Sequence, residues 1–308
     1  MRPAPSLSEN SRGILFMLGA MAGFIVNDTF VKLASEELSV AQILVVRSII
    51  ALPFAVLIGI HQGAFGNPRL LAERFIWLRA VSELGAAAFY LTALAHMDIA
   101  NATAIIQIVP LTATAAAAIL LGETVGIRRW TAILIGLGAV VLIIRPGVQG
   151  FNAWSLLALT SVGFVVARDL ASRMLPADTH PMAVSVLSLV AMIPLGLAML
   201  PFSFWGPLTM RGLLLCAGSG LLLAASYVLI TQAMRHGEMA VVSPFRYAIL
   251  LLAILIQIVV FSVWPDSLTI VGSAILVATG LYTLYRERRV MGAGAALTSR
   301  PATFPPPQ

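Results

Sequence analysis

Charge and cysteine are scarce in this sequence. Of its 308 residues only 10% are charged, against roughly 25% in a soluble domain. Hydrophobic residues make up 59%, and the mean hydropathy is +0.96. That balance excludes both a soluble globular protein and a disordered chain. The one cysteine, Cys216, lies in an apolar run, which excludes a disulfide framework and a cysteine-based metal site. Lys32 is the only lysine among 19 basic residues. No glycine loop closes on Lys-Ser/Thr, so the chain is not an ATPase subunit by itself. The four histidines, His61, His96, His180 and His236, are isolated from one another. No His-Glu-x-x-His or paired-Cys spacing is present, so a metal enzyme is not expected. No serine carries the flanking glycines of a hydrolase elbow. The expectation is a protein that is not an enzyme and needs no cofactor.

What is present is a series of apolar runs. About 20 apolar residues cross a bilayer as a helix. The sequence divides into ten such runs: 13–34, 41–60, 76–96, 99–121, 129–146, 152–174, 182–203, 211–233, 240–262 and 267–285. Pro176, Pro181, Gly206-Pro207, Pro265 and Arg145-Pro146-Gly147 punctuate them. The first run, with Arg2 and Arg12 ahead of it and Ala20-Met21-Ala22 inside it, resembles a signal peptide in isolation. It continues past that point and is followed by nine more, so it reads as the first span. The tail 291–308, Gly/Ala-rich and then Pro-rich, is expected to be disordered and cytoplasmic.

The arginines orient the spans. With a cytoplasmic N-terminus, thirteen arginines fall on the cytoplasmic side and two, Arg145 and Arg211, on the other. This is a strong positive-inside bias. It also favours an even number of spans, with both termini cytoplasmic. The net charge of +6 is then a matter of topology, and nucleic acid is not an expected partner. Lys32, Arg47, Arg168 and Arg246 remain within spans.

The chain also carries a weak internal repeat. Gly23-Phe24-Ile25-Val26 parallels Gly163-Phe164-Val165-Val166, and Leu52-Pro53-Phe54 parallels Ile193-Pro194-Leu195, at offsets of 140 and 141. Ala100 and Ala240 follow at 140, and Ile135-Gly136 and Val271-Gly272 at 136. Four matches in order suggest two five-helix halves. Five is odd, so the second half would enter from the opposite side. The expected fold is an all-α membrane protein of ten transmembrane helices in two inverted-topology repeats. Such pairs are typical of secondary transporters, whose substrate site lies near the midplane between the halves.

A charge at mid-bilayer costs about 2.5–3.5 kcal/mol on the insertion scale, so intramembrane polar groups are candidate site residues. Asp28 and Lys32 are four apart and can pair; alternatively Lys32 snorkels and Asn27 and Asp28 line a cavity. Arg47 has no acidic residue at i±3 or i±4 and reads as one half of an inter-helix pair, with Asp28 one option. Arg79, Glu83 and Tyr90 share a stripe; Glu83 can pair with Arg79, and Tyr90 either packs or walls a cavity. Asn101, Thr103 and Gln107 precede Pro110; they either bond between helices or read a polar ligand. Arg168 and Asp169 are adjacent and point about 100° apart, so at least one should meet another helix. The run Ser243-Pro244-Phe245-Arg246-Tyr247 is the richest: a proline that frees backbone groups, a guanidinium fork and two aromatic faces. On this reading Tyr227 and Gln232 face it from the eighth span. The five tryptophans sit near span ends as an interfacial belt.

With these features the sequence resembles the drug/metabolite transporter superfamily in its ten-helix EamA-type branch. The resemblance covers about residues 13–285. It rests on the two five-helix halves and on Pro110, Gly122-Glu123-Thr124, Trp130 and Gly136 in the first. In the second it rests on Ser243-Pro244-Phe245-Arg246-Tyr247, Gly272, Gly280-Leu281-Tyr282 and Arg286-Glu287-Arg288. Where the family often has Gly-Glu at the end of the ninth helix, this chain reads Trp264-Pro265-Asp266. The resemblance implies EamA-type repeats at 13–146 and 152–285, in a multi-pass protein of the inner membrane. It also implies transport of a small organic metabolite by alternating access. Within the branch the pattern is most similar to bacterial riboflavin transporters, with export of amino acids or other metabolites as the alternative. The site residues expected on this reading are Asn27, Asp28, Tyr90, Asn101, Gln107, Arg168, Tyr227, Phe245, Arg246 and Tyr247. Arg246, Gln107 and Asn101 would bond a flavin edge, and Tyr90, Phe245 or Tyr247 would stack on its ring. Expected partners are the small-molecule substrate and the lipid bilayer, with a homodimer open as an alternative to a monomer.

The arginine count makes the topology testable. A green fluorescent protein fused after Gln308 should fluoresce, and alkaline phosphatase fused at the same point should be inactive. The reverse pattern would overturn the cytoplasmic assignment of the C-terminus.

Overall fold

The computed structural model describes residues 7–66, 73–122, 125–145, 152–176, 179–236 and 239–298. Among them all regular structure is helical. The helices are α1 (Leu7–Ala34), α2 (Val40–His61), α3 (Arg74–His96), α4 (Ile99–Ile106), α5 (Val109–Leu120) and α6 (Ile127–Ile144). They continue with α7 (Trp154–Arg173), α8 (Pro181–Met199), α9 (Met210–His236), α10 (Met239–Val242), α11 (Ala248–Val259) and α12 (Ser267–Thr298). Eight helical segments are long and apolar enough to cross a membrane, and two shorter apolar segments, Ser243–Val259 and Ser267–Thr283, follow them. Helices suit this setting because each satisfies its own backbone groups where water is absent.

Local chemistry marks the ends. Ser39 caps α2 by accepting from the Gln42 amide at 3.2 Å, the usual service of a hydroxyl to an orphan N–H. Pro181 opens α8, where a missing N–H costs nothing. Arg145 ends α6 in the left-handed region, with φ 52°. Pro53 and Pro194 sit inside α2 and α8.

Two expected spans are interrupted. The fourth breaks between α4 and α5, just before Pro110 at the first turn of α5. The ninth breaks over Ser243–Tyr247, a 3-10 turn holding Pro244, before resuming as α11. Proline explains both: it withholds an N–H and crowds the carbonyl four residues back. The last helix runs to Thr298 rather than ending near 285. Alanines 293, 295 and 296 favour that continuation through the first part of the expected disordered tail. Residues 299–308, Glu123-Thr124 and Pro146-Gly147 lie outside the described residues.

Contacts set the directions of the helices. Gly19 meets Leu229 while Gly212 meets Leu38, so α1 and α9 are antiparallel. Arg79 bonds Ser172 while Phe89 stacks on Phe164, so α3 and α7 are antiparallel. Asp28 bonds Tyr90 and Lys32 bonds Met97, so α1 and α3 run the same way. The first and sixth spans therefore point in opposite directions. The main packed pairs are α1 with α9, α3 with α7, α2 with α8 and α6 with α12, with α4 against α11. This set is unchanged when each span is exchanged for the one five places on.

Glycine allows the closest of these approaches. A Cβ on Gly272 would lie 3.0 Å from the Ala139 carbonyl and 2.6 Å from Ile143. One on Gly196 would lie 2.8 Å from the Ala41 carbonyl. Backbone cannot move aside as a side chain can, and small residues are the currency of helix contact in lipid. Gly138, on the other face of α6, has nothing within 4 Å. Gly272→Leu should therefore lower the thermal midpoint in detergent, at a cost of about 1–3 kcal/mol for overpacking. Gly138→Leu should leave it unchanged. Equal midpoints for the two variants would refute the close α6–α12 contact.

Candidate functional site

The two interrupted spans meet a cavity of about 630 Å³ lined by residues from Phe24 to Thr283, a size suited to a small organic ligand. Arg79, Arg173 and Met182 line it at the end of the bundle where α1 begins. Gln107, Pro110, Ser243 and Arg246 line it at the helix breaks. Broken helices in corresponding positions of two halves expose backbone and polar side chains at mid-membrane without offering them to lipid.

Asp28 is held from two sides. Tyr90 donates its hydroxyl to one carboxylate oxygen at 2.7 Å, and the Asn27 amide donates to the other at 2.9 Å. Asn27 in turn accepts from Ser219 on α9 at 2.8 Å. The chain Ser219–Asn27–Asp28–Tyr90 thus ties α9, α1 and α3 together at the cavity wall. This corrects two sequence expectations. Asp28 is not paired with Lys32, whose ammonium reaches the other way and caps α3 on the carbonyls of Leu94 (3.0 Å) and Met97 (2.7 Å). Those carbonyls are the unsatisfied, partly negative end of the helix. Nor does Asp28 form an ion pair with Arg47. Arg47 lies 8% exposed in the cavity wall with its Nε unbonded.

A second network lies nearer the α1 end. Arg168 donates to Asp169 from Nε (3.0 Å) and Nη2 (2.8 Å), and its Nη1 reaches Glu83 on α3 at 3.4 Å. Glu83 also faces Arg79 at 3.9 Å, and Arg79 donates to Ser172 at 2.8 Å. Arg168 meets another helix at Glu83, as the helical angle implies, and it also pairs with its neighbour Asp169, which that angle disfavours. The arginine stem is long enough to fold back along the helix surface.

Of the ten expected site residues, Asn27, Asp28, Tyr90, Gln107, Arg168, Tyr227, Arg246 and Tyr247 line this one cavity. Asn101 and Phe245 are corrections. Asn101 faces α12, where it accepts from Thr269 at 2.8 Å. Phe245 packs against the apolar cluster of Met17, Met21, Ala233 and Val242. The 3-10 turn sends consecutive side chains in different directions: Phe245 to α1 and α9, Arg246 into the cavity, Tyr247 against Gly280. Sequence reasoning left Arg47 out of the site because a lone intramembrane arginine suggests a partner on another helix. It also left out Asp169 and Phe24, the latter meeting Tyr227 edge-on at 5.5 Å.

The opposite end is closed. Glu37 accepts from Thr209 at 2.5 Å and from Arg211 at 2.6 Å, and Glu36 pairs with Arg211 at 2.9 Å. Gln42 exchanges two bonds with the Gly206 backbone, at 2.9 and 3.2 Å. Arg145 pairs with Asp266. Beneath them Ala34, Leu38, Ile43, Leu44, Leu94 and Ile99 are buried. Hydrogen bonds from Thr209 and Arg211 hold the Glu37 carboxyl below the ordinary glutamate range. Burial pushes Asp266 up, but hydrogen bonds from Thr269 and the charge of Arg145 outweigh it and leave the carboxyl below its ordinary range. The cavity is therefore open toward one end of the bundle and sealed at the other.

Three comparisons bear on what such a cavity does. Residues 11–145 match the EamA-like transporter family. A riboflavin transporter of Vibrio cholerae is 27% identical, over 86% of this chain and 90% of that protein. The pseudopaline exporter CntI of Pseudomonas aeruginosa is also 27% identical, over 86% and 93%. An S-adenosylmethionine uptake transporter of Rickettsia prowazekii is 23% identical, over 93% and 97%. One solved crystal structure superposes with a TM-score of 0.62 at 18% identity, covering 91% of this chain and 99% of that one, and so shares the fold.

The lowered carboxyl of Glu37 gives the sealed end a pH dependence of definite sign. A carboxyl depressed in the closed form stabilises that form above the ordinary glutamate range, and the stabilisation is lost as pH falls through its own value. Spin labels at Ser35 and Leu208, in a Cys216→Ser background, should report one short distance at neutral pH. A longer population should appear below about pH 4, where glutamate protonates. Arg211→Gln should show that population already at neutral pH. An unchanged distance in both cases would show that the ion pairs do not hold this end shut.

Proposed function

We propose that this protein, an EamA-family membrane transporter and not an enzyme, takes up riboflavin by alternating access between two inverted five-helix halves. The supporting observation is the cavity itself. It is polar and aromatic, lies at two proline-broken helices, and is open to one end only. Exchange-invariant helix pairing and the opposed directions of the first and sixth spans favour an inverted repeat. Two such halves have two arrangements of similar energy, one open to each side. By the positive-inside reading the open end is cytoplasmic, so the closed end is the gate a substrate meets on entry. Isoalloxazine has a broad π face and an edge of carbonyl and N–H groups. Tyr90, Tyr227 and Phe24 offer ring faces in the cavity. Gln107 and Arg246 offer donors at the breaks. The riboflavin transporters among the relatives support the same substrate.

Export on the same fold is the second reading. The pseudopaline exporter matches as well in identity and coverage as the Vibrio riboflavin transporter does. A symmetric architecture does not fix direction, which follows from gradients and coupling.

Uptake of labelled riboflavin decides between them. The host is a bacterial strain that neither makes nor imports the vitamin, compared with an empty vector and with and without a protonophore. Accumulation above the vector is the expected result. Arg246→Ala and Tyr227→Ala should each reduce it at least tenfold at equal membrane abundance, the loss expected from about 1.4 kcal/mol. No accumulation with the protein present in the membrane would refute flavin uptake and turn the assay to export.

A further inference from the structure

The charges in the cavity do not balance. Five arginines line it, Arg47, Arg79, Arg168, Arg173 and Arg246, against three carboxylates, Asp28, Glu83 and Asp169. The carboxylates are committed. Asp28 is bonded by Tyr90 and Asn27, and Glu83 and Asp169 are paired with Arg79 and Arg168. Among the described residues, Arg47 and Arg246 take part in no hydrogen bond or ion pair. Arg47 is 8% exposed and its Nε is buried without a partner. Arg246 stands on the 3-10 turn that interrupts the ninth span, with its guanidinium open to the cavity. An unpaired guanidinium in the membrane is a standing cost to the fold. The carboxylates of Asp28 and Glu83 act on Arg47, and that of Asp169 on Arg246, through charge alone and without a bond, and both guanidinium groups keep forks matched to carboxylate or phosphate.

We infer that Arg47 and Arg246 form an anion subsite, so that this cavity prefers a metabolite with a carboxylate or phosphate beside its aromatic portion over the neutral counterpart. The inference rests on the reading of this cavity as the transport site, though not on riboflavin as the substrate. Within the flavin class it favours the phosphorylated compound over neutral riboflavin. The anion is a soluble metabolite rather than a lipid headgroup, because the two arginines line a chamber flanked by Asn27, Gln107 and Tyr227, which suit a polar, ring-bearing solute.

The test uses the purified full-length protein in phosphatidylcholine nanodiscs, with thermal unfolding read at constant ionic strength. Inorganic phosphate and riboflavin 5′-phosphate should raise the midpoint of the wild type, as ligands that bind only the folded state do. Riboflavin 5′-phosphate should bind at least tenfold more tightly than riboflavin. Arg47→Gln and Arg246→Gln should each abolish the anion-induced shift, and Arg128→Gln, an exposed charge control, should keep it. Without ligand, Arg47→Gln should melt no lower than the wild type, since it removes an unpaired buried charge, and Arg246→Gln should melt as the wild type does, since Arg246 is exposed to the cavity. A wild type that no anion stabilises, or variants that respond as it does, would overturn the inference. So would a lower ligand-free midpoint in both cavity variants, which marks a structural role. Should Arg47→Gln fail to fold, Arg246→Gln and the wild-type flavin preference decide. Stabilisation by phosphatidylglycerol discs alone, with nothing added by soluble anions, would assign the arginines to lipid and also overturn it. Riboflavin uptake without anion stabilisation refutes only this inference, and anion stabilisation without flavin uptake refutes only the flavin reading.

Discussion

A backbone amide in the hydrocarbon layer has no water to bond, and every other feature of this molecule answers to that constraint. It makes the apolar runs helices and leaves irregular backbone only where protein or a cavity can receive it. Pro110 lines the cavity, and so do Ser243 and Arg246 on either side of Pro244, so both helices break beside it. The same constraint explains Lys32. Its ammonium gives the last carbonyls of α3 the donors that the next turn of helix would have supplied. What looks in the sequence like an intramembrane ion pair is in the structure a helix cap.

Charge follows the same logic at higher cost. Glu83 and Asp169 neutralise Arg79 and Arg168 within one network between α3 and α7. Asp28 is stabilised by neutral donors, Tyr90 and Asn27, and leaves Arg47 without a bonded partner. The result is a cavity with two differently built walls. One is closed upon itself electrostatically. The other holds Asp28 on neutral donors and leaves the Arg47 Nε unbonded.

The two ends of the bundle differ in kind as well. At the sealed end, carboxylates in the α1–α2 turn clasp the start of α9, and apolar side chains fill the space beneath. At the open end the cavity is lined by Arg79, Arg173 and Met182. The outermost contacts at the sealed end are polar, over a layer of apolar side chains. Packing of glycine against backbone, as at Gly272 and Gly196, belongs to helix pairs that stay together.

The reach of sequence reasoning follows the length scale of the forces involved. Apolar runs and the excess of arginine at one side are local or summed properties, and they were legible: the run of apolar helices and most of the residues that share the cavity, though not the breaks that divide the fourth and ninth spans. Which neighbour a polar side chain chooses was not legible. Asn101 turns to Thr269, Phe245 to Met17 and Met21, and Asp28 to Tyr90 rather than to Lys32 or Arg47. Each choice depends on the rotation of a helix about its axis and on what a helix far away in the chain presents there. Composition and periodicity thus determined that this chain is a multi-span helical membrane protein. Only the tertiary structure decided which polar groups meet, which end is shut and which charges are left over, because hydrogen bonds and ion pairs act over a few ångströms between residues that the chain holds far apart.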